Sequence, residues 1–185
     1  MNKPINITNV ILTTPRLILR PWKASDLEDL YEYAQVDGVG QMAGWTPHKN
    51  IEESRTILEM FRREKKTFAL EHRGKVIGSL GIELYNEANY PELAALQGRE
   101  IGYVLSRNYW GQGLMPEAVR AVTNWLFRKE QLDFILVGHF DWNGQSKRVV
   151  EKSGFRYIKT NKFETRYGTV ENALEYILYN PERSK

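Results

Sequence analysis

Residues 100–118, EIGYVLSRNYWGQGLMPEA, decide the fold. The branched and aromatic residues of 99–105 predict a strand, and a loop with Gly111 and Gly113 follows. Apolar residues then recur at helical spacing, at Met115, Ala118, Val119, Val122, Trp125 and Leu126. Pro116 fits the first turn of that helix, where its missing N–H is no loss. The stretch therefore predicts a strand, a glycine-rich loop and a helix in succession.

This order of elements is typical of an anion-binding site. The first turn of a helix leaves backbone N–H groups unpaired and carries a partial positive charge. Glycines let a bulky anion approach those N–H groups closely. The loop is not a P-loop, because no Gly-Lys-Ser/Thr follows, and it lacks the third glycine of the dinucleotide fingerprint. We therefore expect a phosphate group outside those two systems; the alternative is a plain turn whose glycines cap a helix.

Strands and helices are predicted on both sides of this stretch. Ser25 and Glu28 have the form of a capping box at the start of one helix, and Gly154 is expected to end another. The further strands are expected at 12–20, 67–71, 76–85, 134–140, 155–165 and 170–179, and the further helices after Ser25, after Ile51 and over 145–153. The order predicts one α/β domain over residues 1–185, with its core at about 12–180, about seven strands and about four helices.

Composition excludes several kinds of chemistry. The 185 residues include no cysteine, which excludes disulfides, thiolate metal sites and a cysteine nucleophile. Residues 1–9 lack a signal-peptide core, and no apolar run is long enough to cross a bilayer, so we expect a soluble cytoplasmic protein without a membrane partner. The net charge of +3 suits an anionic cofactor as well as nucleic acid and does not distinguish them.

Three collinear parts of the chain resemble the GNAT N-acetyltransferases, in particular the ribosomal-protein N-terminal (RimJ/RimL-type) branch. The matching segments are EIGYVL at 100–105 with YWGQGL at 109–114 and Glu117-Ala118, TPRLILRP at 14–21, and NGQS at 143–146 with VEKSGF at 150–155. The resemblance implies a mixed, mostly antiparallel and splayed sheet. It also implies direct transfer of an acetyl group from acetyl-CoA to an amine, without a metal.

The resemblance also implies which residues hold acetyl-CoA. The pantetheine arm would lie along the strand, at Tyr103, Val104 and Leu105, where free amide groups can pair with it. The pyrophosphate would bind the loop and helix start, at Trp110, Gly111, Gln112, Gly113, Leu114 and Met115. The family's loop usually begins with Gln or Arg, and Asn108 stands there, so backbone N–H groups should do most of the binding.

Further cofactor contacts are expected from the helix at 145–153 and the residues before it. By resemblance, Asn143 binds the cofactor arm and Ser146 lies near its sulfur. The alternative is structural, with Asn143 as the N-cap of the helix and Ser146 as a first-turn residue. The cofactor's 3′-phosphate end could meet Lys147, Arg148 and Lys152, for which the alternative is a solvated helix face.

Catalysis requires a neutral amine. An α-amine has a pKa near ~8 and a lysine amine near ~10.4, so a base is needed. Glu100 is the candidate, directly or through a water, and the alternative is a strand-end carboxylate paired with Arg99 or Arg107. Ser146 is expected to donate a hydrogen bond to the departing thiolate. The alternative proton donors are Tyr103, Tyr109 and Tyr157, and His139 is a weaker candidate base.

The acceptor pocket is expected to contain Trp45, Tyr85 and Tyr167, although Trp45 could equally be a packing residue. The resemblance favours a protein or peptide N-terminus as the acceptor, and a small amine, amino acid or antibiotic stays open. A CoA-binding module without catalysis is the second alternative. No recognised nucleic-acid module is present, so no direct nucleic-acid contact is expected. The protein is expected to be a monomer or a homodimer.

Overall fold

The computed structural model describes residues 1–183, and eight strands of this range form one sheet. The strands are β1 (Leu12–Thr13), β2 (Ile18–Arg20), β3 (Thr67–His72), β4 (Lys75–Glu83), β5 (Gly98–Leu105), β6 (Phe134–Phe140), β7 (Arg156–Glu164) and β8 (Val170–Tyr179). Their order across the sheet is β1-β2-β3-β4-β5-β6-β8-β7. Neighbours run antiparallel except β5 and β6, which are parallel.

Helices cover both faces of the sheet. They are α1 (Leu27–Ala34), α2 (Ile51–Glu64), α3 (Leu114–Arg128) and α4 (Gly144–Lys152). Buried residues of α1 and α2 form one core cluster with β3 and β4, and those of α3 and α4 form another with β3 to β6. We call these sides the α1/α2 face and the α3/α4 face. Within residues 1–183, no helix combines the length and apolarity needed to span a bilayer.

The α/β class and the four α-helices agree with the sequence prediction, but one predicted strand is wrong. Residues 12–20 form two short strands around a turn, which gives eight strands instead of about seven. Pro15 has no N–H to donate and fixes its own φ, so it interrupts the strand. The Thr14 N–H donates to the Leu17 carbonyl at 2.9 Å and closes the turn.

The predicted capping box of α1 is also wrong. Ser25 lies inside the 3₁₀ turn Ala24–Asp26, and the Asp26 carboxylate accepts from the Lys23 N–H at 2.7 Å. The same carboxylate binds the Arg20 guanidinium at 2.8 and 2.9 Å. Asp26 therefore occupies the N-cap position of α1 while its carboxylate binds Arg20 and the Lys23 N–H.

The sheet splits between β5 and β6, as expected for a splayed sheet. The two strands pair from Gly98 with Phe134 to Ile101 with Val137, and their pairing ends there. Beyond that point β5 stays paired with β4 as far as Leu105, and β6 stays paired with β8. The gap between the two halves of the sheet is the place where the predicted site residues converge.

Candidate active site

A cavity of about 310 Å³ occupies the split between β5 and β6. Its walls come from β5, the glycine-rich loop, the first turns of α3 and α4, the ends of β6 and β8, and the 3₁₀ turn Gly40–Ala43. Most of the predicted site residues line it, namely Glu100, Tyr103, Val104, Leu105, Trp110, Gly111, Gly113, Leu114, Met115, Asn143, Ser146 and Arg148. Residues far apart in sequence therefore share one cavity.

The glycine-rich loop presents backbone N–H groups to the cavity. Gly111 and Gly113 both have φ of +75°, in the left-handed region that favours glycine. Among the described residues, the N–H groups of 111–115 donate to no backbone carbonyl or side chain. The Trp110 Nε1 donates to the Leu105 carbonyl at 2.7 Å, and the Gln112 Nε2 donates to the Asn108 carbonyl at 3.0 Å. These two side chains fix the loop's shape, and its N–H groups are left for an anion.

Arg16 clamps this loop to α3, which the sequence did not indicate. Its Nη1 donates to the Gln112 carbonyl at 2.8 Å, and its Nε donates to the Glu117 carboxylate at 2.7 Å. The Thr14 hydroxyl donates to the same carboxylate at 2.6 Å. Burial would raise the pKa of Glu117, but the hydrogen bonds from Thr14 and Arg16 outweigh it and lower that pKa. The turn between β1 and β2 thus stabilises the loop and the helix start together.

The edge of β5 offers amide groups at the split. The Ser106 N–H donates to the Ile77 carbonyl of β4 at 2.7 Å. This bond sets which backbone groups of β5 point toward β4. Because residues alternate in an antiparallel pair, the N–H and C=O of Tyr103 and the N–H of Leu105 face the split. Such groups suit the amides of a pantetheine chain, which can pair with them as an added strand would.

Ser146 lies on the α3/α4 face of the split. Its hydroxyl is 2.8 Å from the Tyr103 hydroxyl, and burial raises the pKa of Tyr103 although its bond to Ser146 opposes the shift. Tyr103 therefore keeps its proton and can donate it in a hydrogen bond to Ser146. The Asn143 Oδ1 accepts from the Ser146 N–H at 3.0 Å, and its Nδ2 donates to the Met42 carbonyl at 3.2 Å. Asn143 thus caps α4 and fixes Ser146.

Glu100 lies on the opposite, α1/α2 face of β5, beside Gly102 and Val104. Burial, followed by the charges of Glu175 and Glu83, raises the pKa of Glu100 to about 7. The expected alternative, an ion pair with Arg99 or Arg107, is wrong. Arg99 donates to the Lys3 carbonyl at 2.6 Å, and Arg107 lies over a tryptophan ring. A carboxyl that titrates near neutral pH suits a general base.

Three predicted acceptor residues lie outside the cavity lining. Trp45 packs on Gly40 and on the His48 ring, with 5.2 Å between the two ring centroids. Tyr85 is buried, and its ring centroid lies 5.4 Å from that of Phe134. The Tyr167 hydroxyl donates to the carbonyl of residue 41 at 3.3 Å and holds the 3₁₀ turn from outside. The structure therefore gives each of them a packing or bracing contact.

The cavity also has an apolar wall that sequence analysis missed. Its members are Val39, Met42, Ala43, Phe140, Phe163 and Ala173. The loop before α2 has no helical or strand periodicity that would single out Met42, and Phe163 belongs to the exposed outer strand β7. Only the folded chain brings these residues together.

The remaining candidates divide between the cavity and the surface. Tyr109, His139 and Lys152 line the cavity, but the His139 ring is buried and its Nε2 lies 3.2 Å from the Tyr176 hydroxyl. Tyr157 is exposed on β7 and lies outside the cavity lining, and Lys147 is exposed and pairs with a glutamate of α4 at 4.0 Å. Gln112 also lies outside the cavity lining.

Comparison with known proteins agrees with this geometry. The family model described as "Acetyltransferase (GNAT) domain" matches residues 16–156, more than half of the chain. The uncharacterized N-acetyltransferase p20 of Bacillus licheniformis is 28% identical over 132 residues, 67% of this chain and 70% of that protein.

Two solved structures share the fold. A GNAT-family acetyltransferase from Bacillus anthracis has a TM-score of 0.79 at 20% identity, covering 92% of this chain and 99% of that one. The ribosomal-protein-S5-alanine acetyltransferase of Vibrio fischeri has a TM-score of 0.71 at 19% identity, covering 96% of this chain and 100% of that one. With its family match, its sheet and its glycine-rich loop in agreement, the chain belongs to the GNAT family of acetyltransferases.

Proposed function

We propose that the protein transfers an acetyl group from acetyl-CoA directly to a primary amine, with a protein or peptide N-terminus as the leading acceptor. One observation carries the proposal. A single cavity contains a hydroxyl pair, Ser146 and Tyr103, on one face of β5 and a carboxyl that titrates near neutral pH, Glu100, on the other. Acyl transfer to an amine needs a hydrogen-bond donor for the leaving thiolate and a base for the amine.

The chain's own groups fit acetyl-CoA. The unpaired N–H groups of 111–115 would hold the pyrophosphate. The N–H and C=O of Tyr103 and the N–H of Leu105, which face the split, would pair with the pantetheine arm. When bound, acetyl-CoA supplies the thioester that reacts. Arg148 and Lys152 of α4, which line the cavity, would meet the cofactor's phosphate end.

Each catalytic group then has a defined task. Glu100 takes a proton from the acceptor nitrogen and leaves a neutral amine. Ser146, which Tyr103 supports through a 2.8 Å hydrogen bond, donates a hydrogen bond to the sulfur as it leaves. The acetyl group then passes directly from the sulfur to the nitrogen, without an intermediate attached to the protein.

The acceptor proposal rests on the resemblance to the ribosomal-protein branch, and two observations support it. The Vibrio fischeri neighbour is named for acetylation of a ribosomal-protein alanine. In addition, the wall that includes Met42, Phe140 and Phe163 suits an amine that carries a small apolar side chain.

A small amine is the second candidate, favoured by the 3₁₀ turn Gly40–Ala43, which forms part of the cavity wall. The Arg166 N–H donates to the Gly44 carbonyl at 2.9 Å, and Tyr167 binds the same turn, so the hairpin between β7 and β8 holds this wall in place. A fixed wall narrows the approach of a polypeptide. The cytoplasmic location and the monomeric or homodimeric state stay predictions.

A competition between matched acceptors tests the proposal. Initial rates of thiol release, corrected for hydrolysis, would be measured with a lysine-containing heptapeptide beginning in alanine, its N-acetylated form and a panel of small amines. We expect the free peptide to react, the product mass to rise by one acetyl group at its N-terminus, and the N-acetylated form to be inert. Reaction of small amines alone would favour the second candidate. Acetyl-CoA binding without any product would favour a non-catalytic CoA-binding module.

A further inference from the structure

Glu175 is a second carboxylate on the acceptor side of the cavity. In the sheet Glu100 is paired with Leu136 of β6, and Gly138 of β6 is paired with Glu175 of β8. Because side chains two residues apart point to the same face of a strand, Glu100 and Glu175 lie on the same face. Both carboxylates line the cavity.

Gly138 gives the Glu175 carboxylate its room. A Cβ at this glycine would lie 3.2 and 3.3 Å from the two carboxylate oxygens of Glu175. Any side chain at this position would therefore displace the carboxylate. The missing side chain lets Glu175 lie directly over β6, next to the split and on the Glu100 side of it.

The surroundings of Glu175 hold it in place without neutralising it completely. The Tyr90 hydroxyl, from the segment between β4 and β5, donates to its Oε2 at 3.3 Å. Lys159 of β7 is paired with Glu175 in register, and its Nζ lies 3.8 Å from the centre of the Tyr90 ring. Asn161 of β7 adds a side-chain hydrogen bond. None of these groups has a task in the transfer reaction.

We propose that Glu175 binds the acceptor's ammonium group beside Glu100, so that the acceptor enters as a primary ammonium cation without a carboxylate next to it. The inference rests on the proposed function and names its substrate class. Glu175 supplies charge recognition, and Glu100 takes the first proton as an N–H bond breaks and an O–H bond forms. The nitrogen's lone pair then forms the N–C bond as the C–S bond breaks, and the nitrogen's second proton leaves with the thiol.

The charges around the pair divide these tasks. Burial raises the pKa of both carboxyls, and for Glu100 the charges of Glu175 and Glu83 raise it further, to about 7. For Glu175, the Tyr90 and Asn161 hydrogen bonds and the Lys159 charge act in the opposite direction. The Glu83 charge is itself paired with the Lys66 ammonium. The charged form of Glu175 is thus supported by hydrogen bonds and a nearby cation, whereas the neighbours of Glu100 favour its protonated form.

The same charges predict which acceptors are rejected. A free amino acid carries its carboxylate next to its amine, and two glutamates at the site would repel it. An amino acid amide or a peptide presents the same ammonium without that charge. We therefore expect alaninamide to react with a higher kcat/KM than alanine by about 10-fold or more.

The test uses Glu175→Gln, which keeps the shape and removes the charge, with Glu171→Gln on the same strand as the control. Glu171 binds the Trp142 Nε1 at 3.0 Å and lies outside the cavity lining. For Glu175→Gln we expect KM for alaninamide to rise by about 10-fold or more, and the preference over alanine to shrink. The acid limb of the kcat/KM profile should move to lower pH, because Glu100 loses a charged neighbour.

Calorimetry with acetyl-CoA separates this role from a structural one. We expect the same affinity in wild type, Glu175→Gln and Glu171→Gln. An unchanged KM and an unmoved acid limb in Glu175→Gln would overturn the inference and leave the proposed function intact. If the wild-type protein acetylates no amine, the proposed function fails and the inference fails with it.

A second variant covers the case in which Glu175→Gln does not fold. Tyr90→Phe removes the hydroxyl that holds the carboxylate and leaves its charge. We expect a smaller rise in KM for alaninamide, about 3-fold, since the net value of one hydrogen bond is modest. A KM equal to that of the wild type would count against the binding of the acceptor's ammonium group by Glu175.

Discussion

Two glutamates of the same motif behave as different acids because the fold surrounds them differently. Glu117 accepts hydrogen bonds from Thr14 and Arg16, which lower its pKa in spite of burial. Glu100 is half-buried beside other carboxylates, and its pKa rises to about 7. The first residue is therefore a structural anion, and the second can exchange a proton at neutral pH.

Replacing Glu100 tests its role as a base and also the loss of stability that its ionisation causes in the folded chain. Its pKa in the folded chain, about 7, lies above the ordinary 4.5, so between these values the folded state holds a proton that the unfolded chain has lost. Stability therefore falls as pH rises through that window. We expect Glu100→Gln to unfold like the wild type at pH 4 but to be more stable at pH 8, by up to about 3 kcal/mol.

The two measurements are urea unfolding at both pH values and kcat/KM for the best amine. We expect kcat/KM to fall by about 100-fold in Glu100→Gln at neutral pH, with loss of the acid limb. The exposed Glu59→Gln on α2 is the control and should change neither quantity. Full activity in Glu100→Gln would remove it as the base.

At the scale of residues, sequence analysis identified the side chains that belong to a motif but missed the distant residues that act with them. Glu100 and Ser146 were predicted from the motif, and both line the cavity. Arg16 and Glu175 were not predicted, because Arg16 binds Glu117 at a sequence separation of 101 and Glu175 reaches the site through strand register. Such contacts depend on which strands are neighbours, and local sequence does not encode that.

At the scale of elements, the glycine-rich loop works because its backbone is unusual. Two left-handed glycines in close succession turn the chain so that its N–H groups point toward one region before α3 begins. Arg16 then holds the loop to the helix through the Gln112 carbonyl. Positive backbone dipoles are thus gathered at the start of α3.

A matched pair of glycine substitutions tests the loop. Gly111→Glu places bulk and negative charge among those N–H groups, so we expect acetyl-CoA affinity to fall by more than about 100-fold in calorimetry. Gly74→Glu, in the turn between β3 and β4, is the control. Gly74 has a φ of +80°, and both glycines have open space where a Cβ would lie, so the backbone strain is alike. Equal affinities in the two variants would mean that the phosphates bind elsewhere.

Elements were predictable where one local signal dominates. The apolar stripe of α3 predicted a helix, and the Arg73-Gly74 turn, with positive φ at both residues, suits a tight hairpin. The strand at 12–20 was wrong because the run of branched residues outweighed the proline within it. The capping box at Ser25 was wrong because the sequence does not show that Arg20 binds Asp26.

At the scale of the whole molecule, a buried ion network joins three elements of the α1/α2 side. Arg20 of β2 binds Asp26, at the start of α1, at 2.8 Å and Glu71 of β3 at 2.6 Å. The hydrogen bonds that Arg20 donates to Asp26 chiefly raise the pKa of Arg20 although burial opposes the shift, so the guanidinium stays charged. The network fixes the position of α1 against the sheet.

Removing one member of this network should destabilise the whole chain. Asp26→Ala leaves the buried guanidinium without its bidentate partner, and we expect the free energy of unfolding to fall by about 3 kcal/mol. Urea unfolding followed by far-ultraviolet circular dichroism measures this change. The exposed Glu52→Ala, which removes a surface ion pair with Arg55 at 3.0 Å, should lower stability far less, because water already screens that pair. Equal losses in both variants would contradict the role of burial.

The α/β fold class could be predicted from the sequence pattern, but the split in the sheet was expected from the resemblance alone. A strand's composition does not show how far its pairing extends. The pairing between β5 and β6 ends after Ile101 and Val137, and no feature of those two residues indicates it. Relative strand positions are a property of the assembled sheet.

The placement of Glu100 and Ser146 on opposite faces of β5 has a kinetic consequence. Acetyl-CoA and the acceptor amine would approach the reaction centre by separate routes, so neither has to leave before the other binds. Double-reciprocal plots of rate against both reactants should intersect, and free CoA should compete with acetyl-CoA alone. A molecule that joins the acceptor nitrogen covalently to the CoA sulfur would occupy both routes at once, and it should inhibit far more strongly than either half.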